Sequence, residues 1–363
     1  MKLTPALSAR LVAIQLPDPS GVARAREHLD RLTKPIGSLG RLENLAAKFV
    51  AAHPGHLTLP LRKAVYVFAA DHGIVSEGVS AYPQEVTLQM VRNFANGGAA
   101  INALARQHHA ALLVVDVGVN GDISPAPGLH VAKVGYGTQN FASGPAMTQP
   151  QLSQSFAIGF ELADRAAAAG QQLIAVGEMG IGNTTSASAI TALLTGHAVH
   201  EVTGRGAGLD DNGLRHKQQV LQHALDHHFP RANVAPHPLA ILQTVGGFEI
   251  AAMAGFILGL AGHRLGILCD GFISTSAAAL AFALSPDVKH YLYAAHCSEE
   301  PGHRHLLDYL GLVPILNLGM RLGEGTGAVL AMPILESALH LYQQMATFAS
   351  AGISEPTIAE VDA

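Results

Sequence analysis

Short, nearly continuous apolar runs punctuate the chain at 63–70 (KAVYVFAA), 111–118 (ALLVVDVG), 172–177 (QLIAVG) and 265–270 (LGILCD), with a less continuous one at 288–295 (VKHYLYAA). Unbroken apolar runs, rather than alternating ones, mark strands covered on both faces of a parallel sheet. Between them lie alanine-rich segments of helical character at 84–106, 150–169, 184–195, 209–228, 247–262, 274–284 and 299–310. This alternation predicts an α/β fold, a layered parallel sheet flanked by helices. Ahead of the first strand, 22–51 reads as helices interrupted by KPIGSLG, where Pro35, Gly37 and Gly40 force a turn. Beyond the last, 326–347 reads as one apolar helix. We expect these end segments to form a small helical annex, residues 1–60 joined by 326–347, beside a main α/β domain of residues 61–325. No internal repeat of 20–50 residues is apparent.

Composition narrows the picture. Of 363 residues, 49% are hydrophobic and only 13% charged, which disfavours disorder and suits a compact soluble protein. A net charge of −5, with no basic cluster, gives no general attraction to nucleic acid or acidic membranes. Cys269 and Cys297 are the only cysteines, and neither a disulfide framework nor a cysteine zinc site fits them. The first residues, MKLTPALSARLVAIQLPDPSG, lack a signal-peptide core and cleavage site. The most apolar stretch, 250–262, is too short to span a bilayer. A cytoplasmic location is the expectation.

Functional loops of parallel α/β sheets gather at the carboxyl ends of the strands. Asp71-His72-Gly73, Gly177-Glu178-Met179-Gly180 and Asp270-Gly271 stand at such ends. GEMGIGNTTSASAI (177–190) passes from a strand into a helix that Asn183 or Thr184 could cap, leaving first-turn N–H groups for an anion. A tight strand-to-helix connection accounts for its glycines about equally well, and it is neither a Walker loop nor a dinucleotide fingerprint. TGRGAGLDDNGLRHK (203–217) joins the three glycines of GRGAG to Arg205, Arg215 and Lys217, either a phosphate clamp or a solvated loop. In DHGIVSEGVSAYPQEVTLQMV (71–91), Ser80, Tyr82 and Gln89 surround a turn into a helix and suit a neutral heteroaromatic ligand. Asp71 and His72 make a thin metal site; a His–Asp hydrogen bond orienting the loop fits them better. The 20 histidines fit no zinc spacing, and His303 and His305 point apart on a helix. Finally, MRLGEGTGAVLA (320–331) places Glu324 between two glycines before a helix. Favourable first-turn electrostatics would explain that carboxylate, but the flanking glycines also leave it open to a ligand.

Taken together, LTKPIGSLGRLE (32–43), AADHGIVSEGVSAYPQEVT (69–87), VGEMGIGNTTSASAI (176–190), GRGAGLD (204–210), CDGFISTSAA (269–278) and RLGEGTGA (321–328) resemble one family over nearly the whole chain. It is the nicotinate-nucleotide–dimethylbenzimidazole phosphoribosyltransferase family of cobalamin lower-ligand synthesis. Ile36 and Asn317 depart from its usual residues. The resemblance implies a three-layer Rossmann-like fold, a homodimer, and no required metal or cofactor. It implies transfer of phosphoribose from nicotinate mononucleotide to 5,6-dimethylbenzimidazole with inversion at the anomeric carbon. It makes Glu324 the general base, with Glu178 able to stabilise positive charge at the sugar from another side. Ser80, Tyr82, Gln89, Met320 and Leu322 fall near the benzimidazole. Gly180, Gly182, Asn183, Thr184, Gly204, Arg205, Gly206, Lys217, Gly325 and Gly327 fall to the nucleotide and its phosphate. Other readings are a metal-dependent phosphohydrolase built on Asp71, His72 and Asp270, and a non-catalytic binder that keeps the fold.

Overall fold

The computed structural model describes residues 5–53, 57–230 and 236–354. Six strands form one parallel sheet: β1 (Lys63–Ala70), β2 (Ala111–Gly118), β3 (Leu129–Val131), β4 (Leu173–Met179), β5 (Gly266–Cys269) and β6 (Leu292–Ala294). Their order is β3-β2-β1-β4-β5-β6, so the chain starts at the centre, runs to one edge, then returns to build the other half. The register sets Phe68 beside Val115 on one side and beside Glu178 on the other. Nearly every residue of β1, β4 and β5 is buried. Because successive side chains face opposite sides of a sheet, this means that helices cover both faces.

The four unbroken apolar runs are strands within a residue or two of their expected bounds. The fifth run is mostly a 3₁₀ segment, Pro286–Tyr291, with only Leu292–Ala294 in the sheet. The edge strand β3 carries too little apolar pattern to be seen in the sequence. The stretch expected as one helix over 84–106 is two, Glu85–Ala95 and Ala100–Gln107, divided at Gly97-Gly98. The segment around 250–262 belongs to the helix Phe248–Gly262, apolar on all sides because it is buried on all sides. Among the described residues no helix is long and apolar enough to cross a membrane.

Two compact units divide the chain. One comprises residues up to Gln15 together with Arg62–Met332; the other comprises Leu16–Leu61 and the chain from Pro333. The division thus places the helix Pro5–Val12 with the sheet, and it cuts the helix Thr326–Gln344 at its internal Pro333. In the larger unit Arg10 Nη1 donates to Asp164 Oδ1 at 2.7 Å. The smaller unit has its own core, where Ala25, Leu29, Leu32 and Ala47 pack with Val50, Tyr342 and Met345. LTKPIGSLGRLE lies there: Lys34 and Glu43 form a buried ion pair at 2.8 Å across the turn that Gly37 and Gly40 make.

Candidate active site

The strand order reverses between β1 and β4, and crevices for ligands open at the carboxyl ends of strands flanking such a point. A cavity of about 370 Å³ lies there, wholly within the larger unit. Its volume falls in the range of small-molecule sites. The turns after β4 and β5, the segment after β6 and the GEGTG loop all contribute to its wall.

Glu324 is buried in that wall and adopts a left-handed conformation, φ 63°, between Gly323 and Gly325 at 86° and 83°. A non-glycine residue held there is strained by about 1 kcal/mol or more. What holds it is β4: the Glu324 N–H donates to the Glu178 carbonyl at 3.2 Å. The loop presses so closely that a Cβ on Gly177 would come within 2.4 Å of Gly325 N. Asp270, after β5, clamps the other side, accepting from Gly325 N–H at 3.2 Å and Ala328 N–H at 2.9 Å. Glu324 Oε2 accepts from Ile101 N–H at 3.3 Å, in the first turn of the helix Ala100–Gln107. The electrostatic partner of the carboxylate is therefore that helix start, not the start of its own helix. Burial pushes Glu324 above the usual carboxylate range, the Ile101 N–H opposes this, and the charge of Asp270 adds to it.

Glu178, at the end of β4, lines the same cavity, and Asn183 Nδ2 donates to its Oε2. Burial, then the charges of Asp270 and Glu249, drive it up to about 8. Burial among other carboxylates thus favours the protonated form of Glu178, which can donate a hydrogen bond. Behind it, His72 is enclosed between Glu249 Oε1 at 2.6 Å and Ser186 Oγ at 3.0 Å. The loop-orienting partner of His72 is thus Glu249, while Asp71 Oδ2 accepts from Asn120 N–H at 2.7 Å. No group of three His, Cys, Asp or Glu among the described residues is arranged to hold a metal ion.

Where Asn183 meets Glu178, the helix Asn183–Thr195 begins on Gly182. Gly182, not Asn183 or Thr184, is its N-cap and has no side-chain oxygen to cover the first-turn N–H groups. Beneath this turn Lys217 is fully buried and donates to Thr184 Oγ1 at 2.8 Å. Burial lowers Lys217 to about 8, against the attraction of Glu300. Arg321 Nη1 donates to the Gly206 carbonyl at 3.1 Å, setting a second cation on the wall.

Of the residues expected from sequence, Glu324, Glu178, Ser80, Tyr82, Leu322, Gly180, Gly182, Asn183, Thr184 and Gly206 come together around the cavity. The others are elsewhere. Gln89 is exposed, while Val86 and Met90 of its helix line the cavity instead. The Met320 carbonyl accepts from Glu299 N–H, and the residue does not reach the wall. Gly204 and Arg205 line a neighbouring cavity, and Arg205 folds back onto Asp211. Lys217 acts from behind Thr184. Gly325 and Gly327 serve packing, the second against His296, where a Cβ would meet Cδ2 at 2.1 Å.

Sequence reasoning missed His296, Ser298, Glu300, Arg321 and Phe272, all on the wall. HCSEE (296–300) follows a run whose strand character is weak, so nothing local marked it as a strand end. His303 carries no ligand spacing in the sequence, yet Ser298 N–H donates to its Nδ1 at 2.9 Å, and its Nε2 bonds Thr275 Oγ1 at 3.0 Å. Burial lowers His303 to about 3, so it is a neutral strut for this segment.

Comparison with known proteins agrees with this geometry. A family model described as phosphoribosyltransferase matches residues 14–353. The nicotinate-nucleotide–dimethylbenzimidazole phosphoribosyltransferase of Geotalea uraniireducens is 50% identical over 349 residues, 96% of this chain and 98% of that protein. That of Desulforamulus reducens is 49% identical over 350 residues, covering 96% and 99%. A crystal structure of the Thermus thermophilus enzyme of that name superposes with a TM-score of 0.86 at 47% identity, covering 93% of this chain and all of the other. With a Rossmann-ordered sheet, a cavity at its switch point and this likeness over nearly the whole length, the chain belongs to the nicotinate-nucleotide–dimethylbenzimidazole phosphoribosyltransferase family and is a pentosyl-transferring enzyme.

Proposed function

We propose that this enzyme transfers the 5-phosphoribosyl group of nicotinate mononucleotide to 5,6-dimethylbenzimidazole, giving α-ribazole 5′-phosphate and nicotinate, with Glu324 as general base. The observation that carries the reading is the loop that holds Glu324. A carboxylate on a strained backbone, one oxygen engaged by Ile101 N–H and the other without a hydrogen bond among the described residues, is fixed in the wall of a cavity that Arg321 also lines, with Lys217 behind Thr184.

The chemistry asks little of the protein. Nicotinate departs as a neutral pyridine from a pyridinium glycoside, so no strong acid is needed to expel it. The benzimidazole attacks through its lone-pair nitrogen, and as that bond forms the other ring N–H becomes acidic. Glu324 takes this proton if it lies within about 3 Å of it. Its charge also favours the cation that develops on base and sugar. Attack from the face opposite the departing ring inverts the anomeric carbon. Glu178, on the same wall, can give a hydrogen bond to the sugar in its protonated form, or stabilise positive charge there when ionised. The turn at Gly182–Thr184, where no side chain caps the helix, suits the phosphate together with Lys217 and Arg321. Val79, Val86, Met90 and Leu322 supply apolar wall for the aromatic base.

The test is Glu324→Gln, which keeps the Ile101 hydrogen bond and removes the base. We expect turnover of nicotinate mononucleotide with dimethylbenzimidazole to fall at least about 100-fold, the lower range of general base catalysis, while nucleotide binding is kept. Wild-type turnover by the variant would remove Glu324 from the role. A β-configured product would remove the inversion.

A further inference from the structure

We infer that His296 holds the nucleotide by donating a hydrogen bond from Nε2 to a ribose hydroxyl, an inference that rests on the reading just given. His296 follows β6 and forms part of the cavity wall, yet only 1% of it is exposed. Its ring is clamped. A Cβ on Gly271 would stand 3.2 Å from Nε2, and one on Gly327 would overlap Cδ2. Nδ1 is enclosed and has no hydrogen-bond partner among the described residues, whereas Nε2 is not enclosed in this way.

The two nitrogens are therefore unequal. Asp270 Oδ1 stands 3.8 Å from Nε2, beyond a direct hydrogen bond but close enough to attract the proton there. Both Asp270 oxygens already accept backbone N–H groups, so this acceptor cannot turn away. A proton on Nδ1 would be an enclosed donor with no acceptor, the costlier arrangement. Nε2–H is thus the donor that the cavity meets.

Its position names the acceptor. Gly327, packed on the ring, belongs to the helix that follows the Glu324 loop and so marks the base end. Glu300, four residues after His296, belongs with Lys217 and Gly206 at the phosphate end. The sugar of a nucleotide spanning those ends passes His296. A hydroxyl there accepts from Nε2–H and keeps its own proton for another acceptor. His303, by contrast, has both nitrogens committed to Ser298 and Thr275.

The experiment measures turnover of nicotinate mononucleotide and of its 2′-deoxy and 3′-deoxy analogues, with dimethylbenzimidazole, by wild type, His296→Gln and His296→Asn. Glutamine can place an N–H where Nε2 was; asparagine cannot. We expect His296→Asn to raise KM for the nucleotide about ten-fold with kcat little changed, a loss of the size of one hydrogen bond, and His296→Gln to stay near wild type. With one of the deoxy analogues the asparagine variant should be no worse than wild type, because the interaction is already gone. An equal loss on all three substrates would overturn the assignment. So would wild-type enzyme that binds both analogues as well as the natural nucleotide, a result that stands even if His296→Asn fails to fold. Failure of wild type to release nicotinate at all would count against the proposed function instead.

Discussion

Replacing Gly177 by alanine should disable the enzyme while barely touching its substrates. Gly177 lies in β4, and its φ is not left-handed, so alanine is conformationally acceptable there and would ordinarily stabilise by about 0.4–1 kcal/mol. The contacts say otherwise. The new Cβ would stand 2.4 Å from Gly325 N, 2.6 Å from Glu324 C and 2.7 Å from Glu324 O, whereas ordinary contact begins near 3.4 Å. All three atoms are backbone, so no side chain can swing aside; the loop must recede by about 1 Å. That movement lengthens the 3.2 Å hydrogen bond from Glu324 N–H to Glu178 beyond reach and displaces the carboxylate. A misplacement of about 1 Å costs on the order of 100-fold in rate, or about 2.7 kcal/mol of barrier. Overpacking takes a further 1–3 kcal/mol, roughly, from stability. Steady-state kinetics with nicotinate release as readout, paired with thermal unfolding, measures both. We expect kcat to fall about 100-fold and KM for the nucleotide to change less, since Thr184 and Lys217 are held outside this loop. A folded Gly177→Ala enzyme with wild-type kcat would refute the idea that β4 sets the position of Glu324.

Two further outcomes follow from buried charge. Glu178 is raised in the folded state from the usual glutamate value to about 8, so between those values the native protein binds more protons than the unfolded chain. Stability must therefore decline as pH rises through that window, and Glu178→Gln should flatten the decline in melting temperature between about pH 5 and 8. A wild-type decline matched by the variant would show that other groups cause it. Glu249→Ala removes the partner of a fully enclosed His72 and should cost about 3–5 kcal/mol in denaturant unfolding, as broken buried pairs do. A loss below about 1 kcal/mol would mean that the pair contributes little.

Much of this protein is determined locally. Strands buried on both faces need unbroken apolar runs, so β1, β2, β4 and β5 announce themselves, and with them the carboxyl ends where Asp71, Glu178 and Asp270 stand. Glycine-rich turns before helices marked the Gly180–Thr184 and Gly323–Gly327 segments for the same local reason. Pairing across the fold was decided only by tertiary structure. No pattern tells that Ile101 N–H reaches Glu324, because two glycines first had to break a helix and expose a new start 223 residues away in sequence. Nor could periodicity place Lys217 under Thr184, exchange Asp71 for Glu249 as the partner of His72, or bring His296 to the wall from the end of a three-residue strand. The raised values of Glu178 and Glu324 belong to this second class, because desolvation and neighbouring charge exist only once the sheet has closed around them. Residue types and their local spacing set the elements and the reactive groups. Burial and approach between distant segments set which of those groups meet, in what charge state, and so what they do.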